Sequence, residues 1–73
     1  MQINQIHRVH LIGICGTGMA SLAAMLQKSG YEISGSDEGI YPPMSDFLAQ
    51  KQIPVFQGYD IKNLEPAPDL VVV

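Results

Sequence analysis

Apolar and polar positions along this chain fall into six short blocks separated by glycine, proline and polar residues. Val9–Ile14 (Val-His-Leu-Ile-Gly-Ile) is apolar and rich in branched residues, which predicts a buried strand. It runs into Gly13-Ile14-Cys15-Gly16-Thr17-Gly18, a cluster that predicts a tight turn. Met19–Lys28 is built of good helix formers, and Met19, Leu22, Ala23 and Leu26 recur at helical spacing. Gly30 supplies a residue able to end that helix in the left-handed conformation. Tyr31–Ser36 alternates and predicts a second strand ending at Asp37. Glu38–Pro43 is a loop stiffened by two prolines, and Met44–Gln52 a short helix that Pro54 stops. Val55–Gly58 predicts a third strand. Tyr59–Pro68 is a connection with one helical turn around Ile61–Leu64, and Asp69–Val73 begins a fourth strand.

Strands that alternate with helices require crossover connections, so the fold class is α/β with a parallel sheet. The order strand, helix, strand, helix, strand, strand is the Rossmann-like, mononucleotide-binding half of a doubly wound fold. The last strand has no turn after it. Residues 1–73 are therefore expected to be one domain, truncated, at the N-terminal end of a longer protein.

Charge narrows the range of partners. The net charge is −3, and the basic residues Arg8, Lys28, Lys51 and Lys62 are scattered. No basic stripe exists for nucleic acid and no polybasic amphipathic segment for a membrane surface. A bound phosphate must then be held by backbone N–H groups. Charged residues are 15% of the chain, against about a quarter in an average soluble domain, so much of the surface is expected to be covered or occupied. The lone Cys15 precludes an internal disulfide, and Met1–Gln5 lacks the basic and apolar regions of a secretion signal. A cytoplasmic setting is expected. No metal site is expected, because Cys15 has no paired cysteine and His7 and His10 flank or enter the first strand.

The glycine turn carries the candidate chemistry. Glycine adopts unusual backbone angles cheaply and lets a diphosphate approach the main chain. The first N–H groups of the helix that follows have no helical partner, and the helix dipole adds positive charge there. The candidate donors are the N–H groups of Gly16, Thr17, Gly18 and Met19, with the Thr17 hydroxyl beside them. Asp37 lies 19 positions after Gly18, where an acid of this fold contacts the ribose or base of a nucleotide, and Ser36 precedes it. Tyr59, after the third strand, is either a base-stacking residue or a loop aromatic. Tyr41-Pro42-Pro43 is a stiff loop or a lid on the base pocket. Cys15 is a small packing residue or, at a helix start, a thiol of lowered pKa. Met19, Met25 and Met44 are assigned to the core, and both histidines to structural or exposed roles.

The spacing leaves the nucleotide open. Gly16–Ser21 reads G-x-G-x-x-S, close to the dinucleotide fingerprint, whereas Gly13–Gly18 reads G-x-x-G-x-G. An NAD-binding oxidoreductase module therefore stands beside a nucleotide-sugar site.

The segments HLIGICGTGMASLAAML, GYEISGSD, YPPMS, QGYD and PDLVVV together resemble the N-terminal domain of the Mur ligases, from about His10 to Val73. Cys15, Tyr41–Ser45 and Gly58-Tyr59-Asp60 are more similar to the peptide-recycling branch than to the L-alanine-adding branch, which usually has Gly and His at positions 15 and 59. The resemblance implies a three-domain, ATP-dependent ligase that uses magnesium and joins a murein tripeptide to UDP-N-acetylmuramate through an acyl phosphate. It implies that Gly16, Thr17, Gly18 and Met19 hold the diphosphate and that Ser36 and Asp37 lie on the uridine side; Cys15 and Tyr59 are counted with them as UDP-sugar-binding residues. No G-x-x-x-x-G-K-[ST] loop is present, so these residues are expected to bind the UDP-sugar without catalysing.

Overall fold

The computed structural model describes residues 6–65 and 67–73. Met1–Gln5, the segment that lacks the pattern of a secretion signal, and Pro66 of the last connection lie outside them. The elements are β1 (Arg8–Ile12), α1 (Thr17–Lys28), β2 (Glu32–Asp37), α2 (Met44–Gln50), β3 (Val55–Gln57), a 3-10 helix (Ile61–Leu64) and β4 (Leu70–Val72). The four strands form one parallel sheet in the order β3-β2-β1-β4, as the alternation of elements requires.

Side chains alternate across a strand, so the register assigns the two faces of the sheet. Val9 and Leu11 of β1 lie beside Ile33 and Gly35 of β2, and Val55 lies beside Gly35. This face is hydrocarbon. Val9, Leu11 and Ile33 are buried together with Ile14, Ala20 and Ala23 of the turn and α1, Leu48 of α2, and Ile53. Ala20 and Ala23 have short side chains, which lets α1 come close to the strands. Arg8, His10 and Ile12 lie on the opposite face beside Glu32, Ser34 and Ser36, with Phe56 next to Ser36.

Local chemistry sets the element ends. Gly13, at φ 80°, turns the chain out of β1 two residues before the expected end at Ile14. Gly16 caps α1 with extended backbone (φ −64°, ψ 145°), so Thr17 and Gly18 are already helical and the helix starts two residues before Met19. Gly30, at φ 104°, closes α1 as expected: its N–H donates to Gln27 O, and the Tyr31 N–H to Leu26 O. The second helix stops at Gln50, and Lys51–Gln52 form the turn before Ile53. One core assignment is corrected. Met25 is 66% exposed, because it lies off the stripe of Met19, Leu22, Ala23 and Leu26, whereas Met19 and Met44 pack against the core.

Candidate functional site

The site is assembled at the carboxyl end of the sheet, where the loops after β1, β2 and β3 meet. The turn after β1 is held from inside. The N–H groups of Gly13 and Ile14 both donate to Ser36 O, at 2.8 and 3.2 Å. The Gly16 N–H, expected among the diphosphate donors, instead donates to Gly13 O at 3.0 Å. The first helical bond runs from Ala20 N–H to Gly16 O. Thr17, Gly18 and Met19 thus form the first helical turn, whose N–H groups have no acceptor within the helix. No side chain caps this end, and its first turn holds no acid. Gly16, Thr17 and Gly18 are exposed, and a Cβ added to Gly18 would meet nothing within 4 Å. Three bare donors and a helix dipole thus face open space, an arrangement that suits an anion.

Asp37 sits at the centre of the three loops. Its Oδ2 accepts from the Cys15 N–H at 2.9 Å, and its Oδ1 from the Gly39 N–H at 3.0 Å. Its carbonyl oxygen accepts from the Gly58 N–H at 2.9 Å. The carboxylate expected to meet the nucleoside is therefore engaged with two main-chain donors. Cys15 is half-buried against the core, and burial followed by the nearby Asp37 charge pushes its thiol pKa up. The small packing residue is the reading that fits, and the thiol is not one of lowered pKa, because burial first and then the Asp37 charge disfavour the thiolate.

Ser36 is buried, and its hydroxyl hydrogen-bonds with His10 Nε2 at 3.1 Å. The other ring nitrogen of His10 hydrogen-bonds with Ser34 Oγ at 2.9 Å, and the ring stacks on Phe56. Burial lowers the pKa of His10. A cavity of about 190 Å³ opens above this line, bounded by His10, Ile12, Ser36, Tyr59 and Leu64. Tyr59 stands at its rim, 54% exposed.

The structure thus brings Ser36 and Tyr59 to one cavity, joins Cys15 to Asp37 by a hydrogen bond, and makes Gly16–Met19 a separate helix start. Thr17 and Gly18 do not line the cavity. His10 is the residue whose place the sequence reading did not identify. The signal available was its period-two match to Ser34 and Ser36, which becomes visible only once the strands are in register. Among the described residues no three His, Cys, Asp or Glu side chains converge as metal ligands, and no helix is long and apolar enough to cross a membrane.

Comparison with known proteins bears on this geometry. The family model described as "Mur ligase family, catalytic domain" matches residues 8–73. The UDP-N-acetylmuramate–L-alanyl-γ-D-glutamyl-meso-2,6-diaminoheptandioate ligase of Escherichia coli K12 is 50% identical over 66 residues, which cover 90% of this chain and 14% of that protein. The UDP-N-acetylmuramate–L-alanine ligase of Treponema pallidum (strain Nichols) is 40% identical over 65 residues, 89% of this chain and 14% of that protein. The crystal structure of a murein peptide ligase from Psychrobacter arcticus superposes with a TM-score of 0.89 at 51% identity, over 92% of this chain and 14% of that one. The chain therefore spans about one-seventh of the length of these relatives.

Proposed function

The chain belongs to the Mur ligase family, and from that premise we propose that it is the UDP-N-acetylmuramate-binding part of an ATP-dependent ligase. Residues 1–73 are a fragment of its N-terminal Rossmann-like domain. The whole enzyme joins a murein tripeptide to UDP-N-acetylmuramate during recycling of cell-wall peptides, in the cytoplasm. The names of the Escherichia coli and Psychrobacter arcticus relatives support this branch, as does identity of 50% to the former against 40% to the L-alanine ligase of Treponema pallidum.

The observation that carries the reading is the bare amino end of α1. The Thr17, Gly18 and Met19 N–H groups receive the diphosphate, and Cys15 and Gly16 shape the turn that presents them. Ser36, Asp37 and Tyr59 border the uridine side. No lysine or arginine is needed, which suits a chain whose four basic residues are dispersed.

ATP with magnesium supplies activation of the muramate carboxylate in the whole enzyme. The residues of this chain do not fit that role: the glycine turn lacks the lysine of an ATP-binding loop, and no three metal-ligating side chains converge among the described residues. The chain's own work is to bind and orient the sugar nucleotide.

The test is an NMR titration of the protein with UDP-N-acetylmuramate and, separately, with NAD. UDP-N-acetylmuramate is expected to shift the Thr17, Gly18 and Met19 amides, and NAD is not. Shifts at those amides with NAD alone would overturn the reading in favour of a dinucleotide module.

A further inference from the structure

We propose that Asp37 is a positioning residue for the diphosphate, acting through the Cys15 amide rather than by touching the nucleoside. The inference rests on the UDP-sugar reading above. A carboxylate at the end of β2 is the residue expected to hydrogen-bond a ribose. Here both of its oxygens are turned onto the protein's own backbone, one onto Cys15 N–H and the other onto Gly39 N–H. A hydrogen bond to a carboxylate is about twice as strong as a neutral one.

The consequence follows from what Cys15 is attached to. Cys15 is the middle of the turn between Gly13 and Gly16, and Gly16 is the N-cap of α1. Fixing the Cys15 N–H fixes the Ile14–Cys15 peptide inside the turn that Gly16 N–H closes onto Gly13 O, one residue before the N-cap, and so sets where the Thr17, Gly18 and Met19 N–H groups point. The second bond, to Gly39, holds the start of the loop that carries Tyr41. The Asp37 carbonyl holds Gly58, next to Tyr59. One residue therefore sets the spacing between the diphosphate turn and the two loops flanking it.

The sign of the effect separates this role from plain electrostatics. A negative charge near an anion repels it, so removing the Asp37 charge with the turn undisturbed would tighten UDP binding. Removing a brace weakens it. Removing a residue that contacts the ribose weakens uridine and UDP binding alike.

The experiment uses Asp37→Asn and Asp37→Ala with UDP, uridine and UDP-N-acetylmuramate as probes. It also measures the NMR scalar coupling across the hydrogen bond between the Cys15 nitrogen and the Asp37 carboxyl carbon. The unaltered protein is expected to show the coupling. Both substitutions are expected to raise the Kd for UDP roughly tenfold, the loss of about one charged hydrogen bond, while uridine changes less than about twofold. Equal losses for uridine and UDP, unchanged or tighter UDP binding, or no coupling in the unaltered protein would each overturn the proposal. If Asp37→Ala unfolds, the near-isosteric Asp37→Asn decides. Failure of the unaltered protein to bind UDP-N-acetylmuramate overturns the functional reading and this inference together; binding with a uridine loss equal to the UDP loss overturns only the inference.

Discussion

The two ends of the sheet are each fastened by one aspartate, and the ends do different things. At the amino end, Asp69 Oδ2 accepts the N–H groups of His7 and Arg8, at 2.8 and 2.9 Å, and the Asp69 N–H donates to Arg8 O. That clamp ties the entry of β4 to the entry of β1 in both directions. At the carboxyl end, Asp37 also takes two main-chain donors, Cys15 on Oδ2 and Gly39 on Oδ1. There the first helical turn of α1 follows at once, uncapped. Thus the acid alone does not mark a functional end. A carboxylate bonded to two main-chain N–H groups closes one end and, at the other, holds a turn next to three donors without helical acceptors. The function is read from the donors left over.

The sharpest way to break this contrast is Gly18→Val. The position is helical, its φ is ordinary, and an added Cβ meets nothing, so the fold should stay intact. The branched side chain instead fills the space in front of the three N–H groups. UDP affinity is expected to fall more than about a hundredfold, measured by calorimetry, with the thermal transition unchanged. Unchanged affinity would mean that the ligand does not approach α1 there, and the carboxyl end would lose its distinction.

A second substitution tests whether the turn sits on a rigid base. Gly35 lies beneath Ile14, and a Cβ added to it would collide with Ile14 Cδ1 and come within 2.6 Å of Ile14 Cβ. The Ile14 Cβ is fixed to the backbone, so a rotamer change gives no relief. Gly35→Ala is therefore expected to cost about 1–3 kcal/mol, as overpacking of a filled core does. Chemical denaturation measures it. A stable Gly35→Ala protein would mean that the turn can shift outward freely, and the bracing role of Asp37 would lose its rigid partner.

These contrasts were only partly legible in the sequence. Alternation and helical spacing located each strand and helix because they report burial directly, and the Val9, Leu11 and Ile33 face is the core they describe. The sequence places the start of α1 two residues too late, since Thr17 and Gly18 are poor helix formers that read as part of the glycine turn. Met25 reads as core by residue type, although its place in the helical spacing points outward. The roles of Asp37 and His10 were hidden for a different reason. The partners Cys15, Ser34 and Ser36 lie 22 to 26 residues away in sequence and are brought together by the pairing of β1 with β2. The type of residue at the site was readable, whereas the direction of its hydrogen bonds depends on tertiary structure.

The smallest expected effect belongs to the amino end and is read as pH dependence. The backbone N–H of Arg8, and then that of His7, hold the Asp69 carboxyl below its ordinary value of 3.8. A carboxylate whose folded pKa is depressed stabilises the fold above the unfolded pKa, and that contribution is lost as pH falls through the folded value. Asp69→Asn should therefore lower stability at neutral pH and remove part of the acid sensitivity below about pH 4, leaving UDP affinity unchanged. His10 acts in a separate window. Burial lowers its pKa from 6.5, so the unfolded chain takes up the proton first, and stability declines as pH drops from about 6.5 toward the folded value. Denaturation midpoints of the parent and of Asp69→Asn between about pH 3 and 8 separate the two, because only the lower window should change. A shift in UDP affinity on Asp69→Asn would show that the two ends of the sheet are coupled, and the division of labour between the aspartates would fail.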